Sequence, residues 1–321
     1  MHGRVKSEEL EKEQRKTQEQ RLEEHSKVRM YHEVATKVLD MMRQELYDSS
    51  ALPLTSHLVL LNTEFHVVWN YRRKILDVLL QNARTSATEI QAIAQDELKL
   101  TLDALQRNPK SYSAWFQRKW IIDRGLGDFN KEIALCDQLL NFDERNFHCW
   151  NYRRHVCTLA GVSREDQFAF TTQKIEQNFS NYSALHHRSI TLPDPLTVDV
   201  LLDEIALVQQ AVFTEPDDQS AWFYYHWLVT SMLTLLQCSA PEAATFLTSQ
   251  VQWLTELLEM EREAKWVVVT LADVHDRMGA MTEVDGWQES KKQSIELYER
   301  AITLDPDHCR YYEDRIKKQS N

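Results

Sequence analysis

The sequence has little of the material from which sheets and tight turns are built. Its 321 residues include only 6 glycines and 7 prolines, too few for the many turns that a protein of short strands requires. No stretch sustains a two-residue alternation of apolar and polar side chains. A strand-rich fold is therefore excluded, and the length suits one elongated or two compact domains.

Positive charge and long apolar runs are also scarce. Lys and Arg number 37 against 49 Asp and Glu, which leaves a net charge of −12 at pH 7. Because nucleic acids bind basic surfaces, this balance argues against nucleic acid as the main partner. There is no apolar run of about 20 residues and no signal peptide, so we expect a chain that neither spans a membrane nor is exported.

Paired cysteines and metal-binding spacings are missing as well. The five cysteines are odd in number and form no C-x-x-C pair, and there is no H-E-x-x-H motif. This pattern predicts a cytoplasmic protein with reduced thiols and no metal site of its own. The cysteines are Cys136, Cys149, Cys157, Cys238 and Cys309.

Tryptophan, in contrast, is abundant, and much of it recurs at intervals of 35 to 46 residues. We call the recurring position the anchor. The anchors are Trp69, Trp115, Trp150, Leu185 and Trp222, followed by the weaker copies Trp266 and Tyr312. The large side chain predicts a buried contact that is repeated in each copy.

Each anchor has similar neighbours. Seven residues before the first five anchors lie Asn62, Asn108, Asp143, Asn178 and Glu215, which we interpret as helix N-caps. Three residues after the anchors lie Arg72, Arg118, Arg153 and Arg188, with Tyr225 in the fifth copy. These arginines have two interpretations: they bridge neighbouring copies, or they face an acidic partner.

An amphipathic helical pattern precedes each copy from the second onward, so the repeat is a hairpin of two helices, about 35 residues long as in tetratricopeptide-type repeats. The predicted fold is all-α, a right-handed α-α superhelix (solenoid) of roughly seven hairpins over residues 30–321. Residues 1–29 are almost entirely polar and predict a solvated helix or tail.

One position in the second copy of the repeat indicates an anion-binding site. Asn108 and Pro109 together are typical of a helix start, where backbone amides and the helix dipole favour an anion. Lys110 follows them directly. An ammonium at that point would strengthen an anion site, so Lys110 is a candidate functional residue.

These motifs resemble those of protein prenyltransferase α-subunits, most closely the α-subunits of Rab geranylgeranyltransferase, or geranylgeranyltransferase type II. The resemblance covers essentially the whole chain, without the immunoglobulin-like insert and leucine-rich repeats of animal members. The segments that carry it are Met1–Arg4, Asn108–Tyr112, Asp143–Trp150, Asn178–Tyr182 and Asp218–Tyr224.

The resemblance implies that the chain is one subunit of a heterodimeric enzyme. It would be active only with a β-subunit that holds zinc and most of the isoprenoid pocket. The reaction transfers a geranylgeranyl group from geranylgeranyl diphosphate to C-terminal cysteines of Rab GTPases, which a Rab escort protein presents. Two alternatives stay open. One is the α-subunit shared by farnesyltransferase and geranylgeranyltransferase type I, and the other is a tetratricopeptide-like adaptor without enzymatic activity.

The resemblance also implies roles for individual residues. Lys110 matches a lysine that reaches the diphosphate across the subunit junction. Tyr112 matches a catalytic residue at the same opening of the active site. Asn146 and His148 match neighbouring positions that line it. His2 is a candidate accessory ligand to the zinc of the β-subunit, because the N-terminus of such chains can run toward that metal.

Overall fold

The computed structural model describes residues 17–82, 86–236, 240–282 and 285–320. Over these ranges the chain forms fifteen α-helices, two short 3-10 helices and no strand. None of these helices combines the length and the apolar character needed to cross a bilayer. The chain divides into two compact units, Met1–Ala160 and Gly161–Asn321.

The first unit opens with a long exposed helix and continues as three hairpins. Helix α1 spans Gln18–Arg43 and buries only Ala35 and Val38. The N-terminal half of α1 is thus a solvated helix, as the polar composition allows. The hairpins pair α2 (Leu52–Leu61) with α3 (His66–Gln81), α4 (Ala87–Arg107) with α5 (Tyr112–Ile122), and α6 (Phe129–Phe142) with α7 (Phe147–Ala160).

The second unit consists of four hairpins. They pair α8 (Arg164–Gln177) with α9 (Tyr182–Thr191), α10 (Val198–Thr214) with α11 (Gln219–Leu235), α12 (Ala240–Met260) with α13 (Lys265–Gly279), and α14 (Trp287–Leu304) with α15 (Cys309–Ser320). Seven hairpins therefore occupy the described residues. The all-α hairpin repeat predicted from the sequence is confirmed.

The turns inside the hairpins correct the predicted helix starts. Asn108 is the C-cap of α4, and its Oδ1 accepts a hydrogen bond from the Lys110 N–H at 3.2 Å. The prediction of N-caps at this position is wrong, since Asn and Asp stabilise tight turns through the same kind of bond with which they cap helices. The same bond joins Asn62 to Glu64, Asp143 to Arg145 and Asn178 to Ser180.

Four of the five tryptophan anchors are buried, and their indoles close these turns, whereas the weaker anchor Trp266 is half-buried. Each ring is at most 6% exposed in Trp69, Trp115, Trp150 and Trp222. Their Nε1–H groups donate to the carbonyls of Thr63, Pro109, Glu144 and Pro216, each six residues earlier, over 2.8–2.9 Å. The indole thus fills the core and satisfies a turn carbonyl at once. Leu185 is equally buried but lacks a donor for such a bond.

The four repeated arginines are buried, and Arg72, Arg118 and Arg188 connect consecutive hairpins. Arg118 of α5 donates to both carboxylate oxygens of Glu132 in α6 at 2.6 and 2.7 Å. Its Nη1 donates to the Leu98 carbonyl and the Thr101 hydroxyl of α4 at 2.8 and 2.9 Å. Arg72 with Glu97 and Arg188 with Glu204 form matching buried pairs. The interpretation of the repeated arginines as bridges between hairpins is confirmed for these three.

The glutamate partners of these arginines are absent from the sequence prediction, although they lie eighteen residues before an anchor. The hairpin of Leu185 has Gln167 at that position. The preceding arginine, Arg153, pairs instead with Asp137 of its own hairpin at 2.6 Å. Each glutamate also accepts a hydrogen bond from the side chain two residues after the anchor of its own hairpin, which is Gln117, Tyr152 or Tyr224.

Candidate functional site

Lys110 lies in the turn between α4 and α5 and precedes the helix. Helix α5 begins at Tyr112, and the Oγ of its N-cap, Ser111, accepts a hydrogen bond from the Ala114 N–H at 3.2 Å. The predicted position of Lys110 on the first turn of a helix that begins at Asn108 is therefore wrong.

The peptide group that joins Pro109 to Lys110 is hydrogen-bonded at both ends. The Pro109 carbonyl accepts from Trp115 Nε1 at 2.8 Å and from Asn146 Nδ2 at 3.0 Å. The Lys110 N–H donates to Asn108 Oδ1. The backbone at Lys110 is thus held in one orientation by three side chains.

The side chain of Lys110 projects from this fixed backbone into solvent. It is 71% exposed, and its Nζ lies 3.9 Å from Asp143 Oδ2, in the turn between α6 and α7. An exposed pair at that distance contributes at most about 1 kcal/mol to stability. The Lys110 ammonium is therefore held only weakly by Asp143 and is free to form an ion pair with a more highly charged anion.

Tyr112 and His148 come together beside this lysine. Their rings meet edge to face with centroids 4.2 Å apart, and Phe147 lies with its centroid 3.9 Å from that of His148. Tyr112 is largely exposed, whereas His148 is buried. We call Lys110, Tyr112, Phe147 and His148 the Lys110 site. The sequence motifs assign no role to Phe147, because its contact with His148 depends on how side chains pack at the start of α7.

The environment of His148 favours the neutral imidazole. Burial lowers the pKa of His148 below its usual range; the Glu64 carboxylate opposes this pKa shift and the Lys110 ammonium adds to it. Because a neutral ring donates through one nitrogen and accepts through the other, His148 provides a hydrogen-bonding group without a second positive charge.

Stability is expected to fall as the pH is lowered through the depressed pKa of His148. The folded state binds fewer protons than the unfolded state between that pKa and about 6.5, the ordinary histidine value. The free energy of unfolding therefore rises with pH in this window. Urea denaturation from pH 5 to 7 should show a weaker pH dependence in His148→Gln than in the unsubstituted chain.

The exposed His66, the first residue of α3 in an earlier hairpin, supplies the control variant His66→Gln. A His148→Gln variant whose pH dependence matches that of the original chain would contradict the assignment of this slope to His148.

Asn146 lies next to the Lys110 site but is buried, with 4% of its surface exposed. Its Oδ1 accepts from the N–H groups of His148 and Cys149 at 3.1 and 3.2 Å, as an N-cap does. Its Nδ2 donates to the Pro109 carbonyl. The structure thus places Asn146 between two segments of the site rather than on its exposed surface.

His2 lies outside the described residues. Within the residues that are described, no three His, Cys, Asp or Glu side chains lie close enough together to hold a metal ion. The described residues therefore offer no donor set that fits a zinc ion.

Each unit has exposed aromatic side chains on second helices of its hairpins. In the first unit, Tyr112, Phe116 and Phe147 are all about half exposed or more. In the second unit, Tyr182, Phe223 and Trp227 line a mainly apolar groove of about 540 Å³. Apolar surface of this kind is typical of protein–protein contact.

The model of the protein prenyltransferase alpha subunit repeat matches residues 94–125, 129–160, 164–193 and 201–232. Each match falls on one helical hairpin and contains its anchor. The family repeat therefore coincides with the hairpin unit of the fold.

Two relatives share the name geranylgeranyl transferase type-2 subunit alpha. The protein of Dictyostelium discoideum is 35% identical over 320 residues, which cover 97% of this chain and 98% of the relative. The human protein is 40% identical over 241 residues, which cover 71% of this chain and 42% of the relative. The match thus spans nearly the whole of the first relative and less than half of the second.

A solved structure has the same fold. It is that of Candida albicans protein geranylgeranyltransferase-I complexed with GGPP, and one of its chains superposes with a TM-score of 0.70 at 20% identity, covering 91% of both chains. At that identity the likeness concerns the fold alone, and it agrees with the predicted superhelix of helical hairpins.

Proposed function

Since the chain belongs to the geranylgeranyl transferase type-2 α-subunit family, we propose that it is the α-subunit of a protein geranylgeranyltransferase. The enzyme transfers a geranylgeranyl group from geranylgeranyl diphosphate to C-terminal cysteines of Rab GTPases. The observation that carries this proposal is the meeting of Lys110, Tyr112 and His148 beside one exposed turn.

Lys110 supplies the charge that the reaction requires from this chain. As the allylic C–O bond breaks, negative charge grows on the departing diphosphate. A cation already positioned there stabilises the transition state more than the ground state. Lys110 has a fixed backbone and an exposed ammonium held only by a weak surface pair with Asp143, which suits this role.

Tyr112 and His148 assist at the same place. The exposed Tyr112 can donate a hydrogen bond from its hydroxyl to a diphosphate oxygen, and the neutral His148 packs against the Tyr112 ring. His148 is buried, so its share in binding is indirect, through the position of the Tyr112 ring.

The partner that completes the enzyme is a prenyltransferase β-subunit, bound on the exposed aromatic faces of the second helices. The proposed zinc ion belongs to that subunit, where its charge lowers the pKa of the substrate thiol. A Rab escort protein presents the Rab GTPase, and the assembly acts in the cytoplasm. The described cysteines Cys136, Cys149, Cys157 and Cys309 are all free thiols, which agrees with a reducing compartment.

Reconstitution tests the proposal. The chain is co-expressed with a type-2 β-subunit and, separately, with the β-subunits of farnesyltransferase and geranylgeranyltransferase type I. Each purified complex is assayed for prenyl transfer to a Rab–escort protein complex and to a short C-a-a-X peptide. We expect a stable complex with the type-2 β-subunit only, and geranylgeranyl transfer to the escorted Rab.

The other outcomes separate the alternatives. Transfer to the C-a-a-X peptide with either of the other β-subunits would replace the proposal by the shared α-subunit of those enzymes. Absence of a complex with all three β-subunits would favour an adaptor without enzymatic activity.

A further inference from the structure

Asn146 makes three hydrogen bonds that join the two segments of the Lys110 site. Its Oδ1 accepts from the His148 and Cys149 N–H groups at the start of α7. Its Nδ2 donates at 3.0 Å to the carbonyl of Pro109, the residue directly before Lys110. One buried amide therefore holds the start of α7 against the peptide group that carries Lys110.

The chemistry of the amide explains this double role. At an N-cap the side chain must accept a hydrogen bond from a free helical N–H. A bridge to the Pro109 carbonyl requires a donor as well. Asn has both on one short side chain, whereas Asp lacks the donor and Ala lacks both.

The same bridge occurs one hairpin earlier with a different residue. The Oγ of the α5 N-cap Ser111 accepts from the Ala114 N–H and donates to the Thr63 carbonyl at 3.1 Å. Thr63 and Pro109 both lie six residues before an anchor. A serine can thus replace the asparagine at this repeat position with both bonds kept.

We infer that Asn146 is a positioning residue for prenyl transfer, which acts on the diphosphate through Lys110 and does not bind it. This inference rests on the proposed function, because it concerns how Lys110 reaches the leaving group. Without the hydrogen bond from Asn146, the Pro109 carbonyl accepts only from Trp115, and the turn that carries Lys110 becomes less rigid. A displacement of even about 1 Å at a group that contacts the transition state lowers the rate severely.

A double-mutant cycle tests the inference in the reconstituted complex with the β-subunit. The variants are Asn146→Ala, Lys110→Ala and their combination, assayed for kcat and for the KM of geranylgeranyl diphosphate. We expect Asn146→Ala to lower kcat by roughly 5- to 10-fold. In the Lys110→Ala background the same substitution should change kcat by less than about 2-fold, since coupled residues are not additive.

Two further variants separate positioning from stability. Asn146→Ser should restore kcat to within about 2-fold, because the hydroxyl can both accept and donate. Asn181 is the N-cap of α9 at the same repeat position, and its Oδ1 accepts from the Ala184 N–H at 3.0 Å. Asn181→Ala should lower the melting temperature of the chain as Asn146→Ala does, but should leave kcat unchanged.

The inference is overturned if Asn146→Ala slows transfer equally with and without Lys110, since Asn146 would then act independently of the lysine. It is also overturned if Asn146→Ala leaves kcat unchanged while Lys110→Ala lowers it. Normal turnover of Lys110→Ala would remove the proposed role of Lys110 and this inference with it, so the two failures are distinguishable.

Discussion

Replacement of Lys110 by alanine is expected to slow geranylgeranyl transfer by roughly 10-fold or more, with assembly of the complex unchanged. A preorganised donor to the developing charge contributes about 1–4 kcal/mol to transition-state stabilisation. The same substitution should hardly affect folding, because the lysine is 71% exposed and its pair with Asp143 is long, at 3.9 Å. Single-turnover rates with the β-subunit measure the effect on the chemical step.

Lys131 provides a matched control for this substitution. Its side chain is 84% exposed, and its Nζ lies 3.9 Å from Asp128, so Lys131→Ala removes the same charge and a similar surface pair from the same unit. We expect normal transfer by that variant. Equal rates for the two variants would show that Lys110 contributes no more than any surface lysine.

Replacement of Arg118 by alanine is expected to destabilise the chain by about 3–5 kcal/mol, because it leaves the buried Glu132 without its cation. Arg118 and Glu132 are each about 5% exposed. The substitution also removes donors from the Leu98 carbonyl and the Thr101 hydroxyl. Urea denaturation measures this loss, and we expect it to weaken the contact between the hairpins α4–α5 and α6–α7.

Arg154→Ala is the control, because Arg154 lies on the exposed side of α7 and should change stability by less than about 0.5 kcal/mol. The paired variant Arg118→Met with Glu132→Leu should be more stable than Arg118→Ala alone, since no buried charge is left. A loss of stability by Arg118→Ala no larger than that of Arg154→Ala would show that the bridge between hairpins contributes nothing.

Most residues of the Lys110 site could be identified from the sequence, but their contacts and burial could not be predicted. Lys110, Tyr112, Asn146 and His148 were identified through the family resemblance, and the structure brings them together. Their individual roles differ, however. Tyr112 is exposed while His148 is buried, and Asn146 uses its amide for internal bonds. Such differences depend on contacts between hairpins, which the repeat pattern does not contain.

The sequence by itself determined the hairpin repeat, the approximate positions of its helices and the buried anchors of the first five copies. These features depend on local spacing, because a helix face repeats every 3.6 residues and four of the tryptophans bond to a turn carbonyl six residues earlier in the chain. The tertiary structure alone decided which carboxylate each buried arginine binds, and that Asn108 closes a turn instead of starting a helix. Both depend on which groups meet across helices, and an Asn or an Arg has the same hydrogen-bonding capacity for several partners until packing selects one.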